Sequence, residues 1–161
     1  LPNGRAEDLG AECRRYEELI ARAGGIDLQL LGIGKSGHIG FNEPLSALKS
    51  RTREKALTPT TLKQNAPFFG GEDKMPRRAL TMGVGTILDA RRCILLATGE
   101  AKADIIAQAV EGPITSMVTA SALQLHPKAT VVVDEAAAAK LKEKDYYRWI
   151  FANEPEWKEY R

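Results

Sequence analysis

The feature that most constrains the fold is a set of three short apolar segments, residues 26–33, 93–98 and 129–133, in a chain of 161 residues. Segments of this length are typical of buried strands, and stretches with helical periodicity lie between them. This alternation predicts an α/β fold, an open and mostly parallel sheet with helices on both faces. Ligands bind such sheets at the carboxyl ends of the strands, so the loops after Ile33 and Thr98 are the predicted location of a site.

The predicted helices differ in how regular their patterns are. Residues 6–23 carry apolar side chains at steps of four, three and four, which predicts an amphipathic helix. Further helices are predicted over residues 81–90, 100–110, 117–125, 135–141 and 144–152, with Asp134 capping the helix over 135–141. Residues 46–69 have no clean period and contain two prolines, so strand fragments and loops are predicted there, followed by a loop over residues 70–78.

Composition narrows the class of protein. Hydrophobic residues make up 43% and charged residues 27% of the chain, which are globular values that exclude a disordered protein. The formal net charge of +2 gives no reason to expect a nucleic-acid partner, and no apolar run approaches the roughly 20 residues of a membrane span. Cys13 and Cys93 are predicted to be buried reduced thiols, and with two histidines no metal site is expected. No charged-then-apolar leader is present, and we expect a cytoplasmic protein.

A glycine-rich loop follows the first predicted strand. Residues 32–37 match the G-x-G-x-x-G pattern of dinucleotide sites, but Gly40 and Pro44 stand where that motif requires a helix. The phosphate-binding P-loop is also excluded, because Gln29 stands where its first glycine is needed. The remaining interpretations are a tight structural turn and a loop whose backbone approaches a ligand closely at Gly34 and Gly37.

His38 and Glu43 lie five residues apart on this loop. An imidazole titrates near neutral pH, and a nearby carboxylate fixes its tautomer and raises its pKa, so the pair predicts a general acid/base with an orienting partner. The alternative is a structural histidine, against which the repeated glycines argue. Asn42 adds an amide suited to a substrate hydroxyl or carbonyl oxygen.

Two groups of cations follow the loop. Lys102 lies in the first turn of a predicted helix, where a positive charge interacts unfavourably with the helix dipole. An anion such as phosphate, bound between the lysine and the amide groups of that turn, would offset this cost. The alternative interpretation of Lys102 is an exposed lysine. Ser46, Arg51, Arg53 and Lys55 form a hydroxyl-plus-cation cluster, for which a solvated strand edge is the alternative.

Residues 31–44, Leu-Gly-Ile-Gly-Lys-Ser-Gly-His-Ile-Gly-Phe-Asn-Glu-Pro, resemble the glucosamine-6-phosphate deaminase (isomerase) family. The related 6-phosphogluconolactonases share the glycine–histidine loop but lack Phe-Asn-Glu-Pro. Further similarity lies at residues 50–53, 79–90, 123–127 and 133–135. The resemblance covers the whole chain but only the C-terminal, larger part of a family member. Residues 1–161 are therefore expected to form a single α/β domain, of glucosamine-6-phosphate deaminase type, whose N-terminal strands are missing.

The resemblance implies conversion of glucosamine 6-phosphate and water to fructose 6-phosphate and ammonium, without metal or organic cofactor. His38 would shuttle a proton at the ring oxygen and Glu43 would orient it, while Lys102 would bind the 6-phosphate. The general base and a second phosphate loop lie in the family's N-terminal part. In allosteric members, positions matching Ser46, Arg53 and Lys55 bind the phosphate of N-acetylglucosamine 6-phosphate between hexamer subunits, so a homo-oligomer is expected. Residues 145–157 resemble the tails of longer members, some of which carry a fused deacetylase-like domain.

Two positions depart from the family pattern. Ser36, which is predicted as a third catalytic residue beside His38 and Glu43, stands where many members have Asp. A hydroxyl can still hydrogen-bond but supplies no charge, so the pKa of His38 is expected to rise less than in those members. Pro67 stands where an arginine binds substrate phosphate in well-studied members. These departures keep open an alternative function, a sugar-phosphate-binding regulatory module without turnover.

Overall fold

The computed structural model describes residues 1–161, which form two sheets and five α-helices. The strands are β1 (Gln29–Leu31), β2 (Arg53–Ala56), β3 (Arg78–Thr81), β4 (Cys93–Ala97) and β5 (Ala129–Val133). The helices are α1 (Leu9–Arg22), α2 (Pro59–Phe69), α3 (Val84–Leu88), α4 (Ala103–Val110) and α5 (Lys144–Asn153). Short 3₁₀ turns lie at Glu72–Lys74, Glu100–Lys102, Thr119–Leu125 and Pro155–Tyr160. None of the helices combines the length and the apolar character needed to cross a bilayer.

The larger sheet is parallel and has the strand order β1, β4, β5. Leu31 pairs with Leu95 of β4, which pairs with Val131 of β5, so the carboxyl ends of all three strands meet at one edge. Strands β2 and β3 form a separate antiparallel pair, with Arg53 opposite Thr81. The predicted α/β class with a parallel sheet is confirmed, and the loops after β1 and β4 lie side by side at the predicted edge.

One face of the parallel sheet carries the main hydrophobic core. Leu31, Cys93 and Leu95 point into this core, where they pack with side chains of α3, α4 and the turn Thr119–Leu125. The residues between them point to the opposite face of the sheet, because successive side chains of a strand alternate between the two faces. There Leu30 is 64% and Leu96 49% exposed, so the second face that we expected to be covered by helices is bare in this chain.

The segment predicted as strand fragments and loops, residues 46–69, contains β2 and the eleven-residue helix α2, so that prediction was wrong for α2. Its two prolines do not prevent a helix. Pro59 occupies the first helical position, where no backbone donor is needed, and Pro67 lies in the last turn. Thr58 caps the helix by accepting from the Thr61 amide, and Gly70 ends it in the left-handed conformation.

Three other predicted helices differ from the structure. Residues 81–90 begin as the end of β3 before α3 forms, and residues 117–125 hold the 3₁₀ turn Thr119–Leu125. Asp134 accepts from the Ala137 amide as predicted, but residues 135–141 form turns instead of a helix. The backbone hydrogen bonds of these turns mix three- and four-residue spacing, whereas an α-helix requires a regular four-residue spacing. The helices predicted over residues 6–23, 100–110 and 144–152 are confirmed in α1, α4 and α5.

The side chain of Glu17 ties α1 to two other parts of the fold. Its carboxylate accepts from the Thr52 amide at 2.8 Å, from Thr86 Oγ1 of α3 at 2.6 Å and from Arg51 Nη2 at 2.6 Å. Burial alone would raise the pKa of Glu17, but these hydrogen bonds outweigh it and lower the pKa to about 2. The carboxylate is therefore ionised throughout the neutral range and joins α1, the start of β2 and α3.

We predict that Glu17→Gln lowers the free energy of unfolding at pH 7 by about 2 kcal/mol, because donors that now face a charge would face a neutral amide. A carboxyl with a lowered pKa stabilises the fold above its ordinary value, so this contribution should be lost as the pH falls from about 4.5 to about 2. Urea denaturation of both proteins across this range measures it. Glu18→Gln is the control, since Glu18 makes only a 3.5 Å contact with Arg22. Equal stability of the Glu17 and Glu18 variants at pH 7 would contradict the prediction.

Candidate active site

The loop after β1 folds back on itself and places His38 against Gly34. The Gly34 amide donates to the His38 carbonyl at 2.9 Å, and the Gly37 amide donates to the Gly34 carbonyl at 2.9 Å. A Cβ atom at Gly34 would lie 2.3 Å from the His38 ring, so only glycine leaves room for the imidazole. Gly37 has a φ of 77° and packs against Val118 and Ile105. Both glycines are thus required by the packing of the loop, and their predicted contact with a ligand stays a prediction.

The structure brings the three predicted catalytic side chains together. His38 Nδ1 lies 3.1 Å from Glu43 Oε2, and both side chains are buried. Ser36 Oγ lies 2.8 Å from His38 Nδ1 and 3.4 Å from Glu43 Oε2. The hydroxyl can accept from Nδ1–H while it donates its own proton to the carboxylate. The other ring nitrogen, Nε2, makes no hydrogen bond within the chain, so it is available to a substrate atom.

The first turn of α2 holds the far oxygen of Glu43. Oε1 accepts from the Thr58 amide at 3.3 Å, from Thr58 Oγ1 at 3.1 Å and from Thr61 Oγ1. Burial by itself raises the pKa of Glu43, but the Thr61 hydrogen bond, the charge of His38 and the Thr58 donors outweigh it and hold the pKa below its ordinary value. Glu43 is therefore a carboxylate at neutral pH and favours the tautomer with the proton on Nδ1.

Thr58 and Thr61 are residues of this site that the sequence analysis missed. The signal was present in the run Thr-Pro-Thr-Thr, which is typical of a helix start with a capping threonine. It was not used because the prolines led us to predict a loop there.

Asn42 lies behind the loop instead of facing a substrate. Its side chain is completely buried, and its amide nitrogen donates to the carbonyls of Ile39 at 2.9 Å and Met82 at 2.8 Å. Its oxygen accepts from Arg53 Nη1 at 2.9 Å. Both amide hydrogens are therefore used within the protein. The predicted substrate contact is corrected to a structural role, in which Asn42 binds the loop to Met82, the residue after β3.

Lys102 reaches across from the turn after β4 to the glycine loop. Its Nζ donates to the Ile33 carbonyl at 2.6 Å. Burial and the nearby charge of Lys35 both lower the pKa of Lys102, which shows that two cations are close to each other at this edge. A phosphate between them would relieve that repulsion. Lys35 was not singled out by the sequence analysis, because a loop lysine alone carries no signal.

The predicted hydroxyl-plus-cation cluster divides into two groups. Arg51 forms ion pairs with Glu17 and Asp89, so it belongs to the structural contacts of α1. Arg53 and Lys55 lie on β2 and form no ion pair, and burial lowers the pKa of Arg53. Ser46 is 2% exposed, and its Oγ is buried without a hydrogen-bond partner. A binding role of Ser46, Arg53 and Lys55 stays a prediction.

The chain is an α/β protein whose parallel sheet carries a buried imidazole–carboxylate pair at its carboxyl edge, where two lysines also lie close to each other. A family model described as "Glucosamine-6-phosphate isomerases/6-phosphogluconolactonase" matches residues 1–133. The chain belongs to this family, and the resemblance found in residues 31–44 is confirmed.

Curated relatives agree with this assignment. Over 157 residues the chain is 58% identical to the glucosamine-6-phosphate deaminase of Streptomyces avermitilis, a match that covers 97% of this chain and 60% of that protein. It is likewise 58% identical over 152 residues to the glucosamine-6-phosphate deaminase of Shewanella loihica, covering 94% of this chain and 57% of that protein. The chain thus spans about three fifths of the length of these relatives.

Solved structures show the same fold. A protein described as a monomeric glucosamine-6-phosphate deaminase superposes with a TM-score of 0.84 at 50% identity, covering 86% of this chain and 58% of that one. The 6-phosphogluconolactonase of Trypanosoma cruzi superposes with a TM-score of 0.63 at 22% identity, covering 82% of this chain and 52% of that one. The second likeness concerns the fold alone.

We predict that Gly34→Ala displaces the His38 ring, because the added methyl group would occupy the space of the imidazole. Overpacking of this kind is expected to lower the free energy of unfolding by about 1–3 kcal/mol. The measurement is the NMR signal of the His38 ring, together with thermal denaturation. Gly32→Ala is the matched control, since a Cβ there meets nothing within 4 Å. A Gly34→Ala protein with the wild-type His38 signal would show that the ring does not depend on this glycine.

Proposed function

We propose that the protein containing this chain converts glucosamine 6-phosphate and water to fructose 6-phosphate and ammonium. The observation that carries the proposal is the buried pair of His38 and Glu43, in which the ring nitrogen Nε2 of His38 makes no hydrogen bond within the chain. The names of the curated relatives, at 58% identity, point to the same reaction. The chain's own residues account for its first step, the opening of the sugar ring.

Ring opening needs a proton at the ring oxygen while the bond from that oxygen to C1 breaks. The imidazolium of His38 donates this proton from Nε2, and the freed Nε2 then accepts the proton that the C1 hydroxyl loses as the aldehyde forms, so the imidazolium is restored. Glu43 stabilises the imidazolium before the transfer, and the Ser36 hydroxyl bridges Nδ1 and the carboxylate. Ser36 supplies no second charge, so Glu43 alone compensates the positive ring.

Binding of the 6-phosphate is assigned to the cations at the same edge of the sheet. Lys102 contacts the glycine loop through the Ile33 carbonyl, and Lys35 lies close enough to lower the pKa of Lys102. An anion placed between these cations gains attraction from both charges. Pro67, which replaces a phosphate-binding arginine of well-studied members, is exposed in the last turn of α2 and offers no donor.

We propose that residues 1–161 are the C-terminal, larger part of a longer deaminase domain. Two observations support this: the curated relatives extend beyond the match by two fifths of their length, and Leu30, Leu96 and Val132 leave one face of the parallel sheet exposed. A layer of upstream strands and helices on that face would bury these side chains. The general base that removes the C2 proton would lie in that part. We place the protein in the cytoplasm, in keeping with two buried cysteines that are thiols.

In the full-length protein, we predict that His38→Ala lowers turnover by roughly 10²–10⁴-fold, since proton transfer at the ring oxygen would lose its carrier. An assay of ammonium release from glucosamine 6-phosphate measures this. His126→Ala is the histidine control, because His126 is bonded to the Ala90 carbonyl instead of belonging to the site.

The same assay tests the rest of the proposal. The 161-residue chain alone is expected to release no ammonium for want of its general base. Binding of the sugar phosphate by the full-length protein without any ammonium would reject the deaminase and favour the non-catalytic regulatory module. Wild-type turnover in the His38→Ala protein would reject the role of the histidine.

We further propose an activator site for N-acetylglucosamine 6-phosphate at Ser46, Arg53 and Lys55. Support comes from the two cations without acidic partners and from the buried Ser46 hydroxyl, whose oxygen has no hydrogen bond. The resemblance places such a site between hexamer subunits, whereas the solved relative is described as monomeric. The activator site and the oligomer are therefore proposed together.

In the full-length protein, we predict that Lys55→Ala weakens the response to this activator by about tenfold or more, as expected for the loss of one charged hydrogen bond. The measurement is the activator concentration for half-maximal effect on the rate curve, with the exposed Lys49→Ala as the control. A hyperbolic rate curve that the activator leaves unchanged would remove the proposal.

A further inference from the structure

The carboxylate of Glu43 has two ends with different contacts. Oε2 faces His38 and Ser36, whereas Oε1 faces only the neutral donors at the start of α2. His38 is the one titratable side chain in contact with this carboxylate. Arg53 of β2 donates to Asn42 and makes no ion pair with Glu43. The donors of α2 are thus the groups that compensate the charge at Oε1.

Thr61 is the donor that lies within α2 itself. Its hydroxyl donates to Oε1, and the side chain is 1% exposed, so this hydrogen bond is shielded from bulk solvent. Thr58 Oγ1 lies 3.1 Å from Oε1 but also accepts from the Thr61 amide at 3.3 Å, because it is the helix cap. The single hydroxyl proton of Thr58 also has a second acceptor, Thr61 Oγ1 at 3.2 Å. Thr61 is therefore the donor whose hydroxyl proton has Glu43 as its one acceptor.

The N-terminal end of α2 is also the well-packed end of this helix. Leu62 packs with Leu57 and Met75 in a small core that includes Phe41 of the glycine loop. At the other end Phe68 is 84% exposed. The contact between Thr61 and Glu43 thus joins the anchored end of α2 to the site, and the exposed peptide dipoles of the first turn favour the same negative charge.

We infer that Thr61 is a positioning residue of the site, which fixes one carboxylate oxygen of Glu43 so that the other meets His38. This inference rests on the proposed function, because the task of the pair is proton transfer to the sugar. In this arrangement, the Thr61 hydroxyl orients the Glu43 carboxylate, and the carboxylate in turn orients the His38 imidazole. Hydrogen bonds of this kind favour the ionised form of a carboxyl group, in line with the lowered pKa of Glu43.

The experiment is an NMR titration of the Glu43 carboxyl carbon and the His38 ring in the full-length protein, which requires no catalysis. In Thr61→Val, which keeps the shape but removes the hydroxyl, the pKa of Glu43 should rise by about one unit. Thr61→Ser restores the donor and should restore the wild-type titration. Thr86→Val is the matched control, since Thr86 is equally buried but donates to Glu17.

Two results would overturn the inference: an unchanged Glu43 titration in folded Thr61→Val, or an equal shift in Thr86→Val. If Thr61→Val does not fold, Thr61→Ala removes the same hydroxyl with a smaller side chain. It should shift the Glu43 titration in the same direction, and an unchanged titration in that protein would also overturn the inference.

Activity of the full-length protein separates this inference from the proposed function. Since Glu43 must be ionised to hold the imidazolium, a raised pKa of Glu43 should move the acid limb of kcat to higher pH, with KM changed less than twofold. A shifted titration in a protein whose wild type releases no ammonium would leave the role of Thr61 intact and remove the deaminase. A wild-type pH profile in an active Thr61→Val enzyme would remove the role of Thr61.

Discussion

A buried negative charge at Glu43 is the constraint on which the site depends. A carboxylate removed from water is costly unless donors and an opposite charge surround it. In this fold the donors come from the start of α2 and the opposite charge from His38, which approach the two oxygens from different sides. The imidazole is therefore held in place only when three parts of the chain are folded together: the loop after β1, the helix α2 and the small core around Leu62. The site is assembled by the fold, and no single segment forms it alone.

Much of this arrangement could be predicted from the sequence. The parallel strands follow from apolar runs, and the His38–Glu43 pair follows from their position on a glycine loop at a strand end. Two errors have a common physical origin. The helix α2 was missed because proline was given weight as a helix breaker, although Pro59 lies where its missing donor has no consequence. The donors Thr58 and Thr61 were missed with it, since their role depends on a contact between segments fifteen or more residues apart.

Asn42 shows another limit of sequence reasoning. An amide in a ligand-binding loop has the same chemistry whether it faces a substrate or the protein interior, and only the structure decides between them. Here its three hydrogen bonds hold the loop to the residue after β3 and to Arg53 of β2. Likewise, the exposed face of the sheet could not be predicted, because Leu30 and Leu96 are apolar residues in apolar segments, which are typical of buried strands. Apolar composition indicates that a surface tends to be covered, but it does not say by which segment.

The close approach of the imidazole to Gly34 also limits how this loop can change during evolution. Any side chain at that position would overlap with the ring, so substitutions of Gly34 are expected to be removed by selection. Position 36 is under a weaker restriction, because a hydroxyl and a carboxylate can both reach the ring nitrogen and its partner. Substitutions should therefore accumulate at positions such as 36 during divergence, while the glycine at position 34 stays the same.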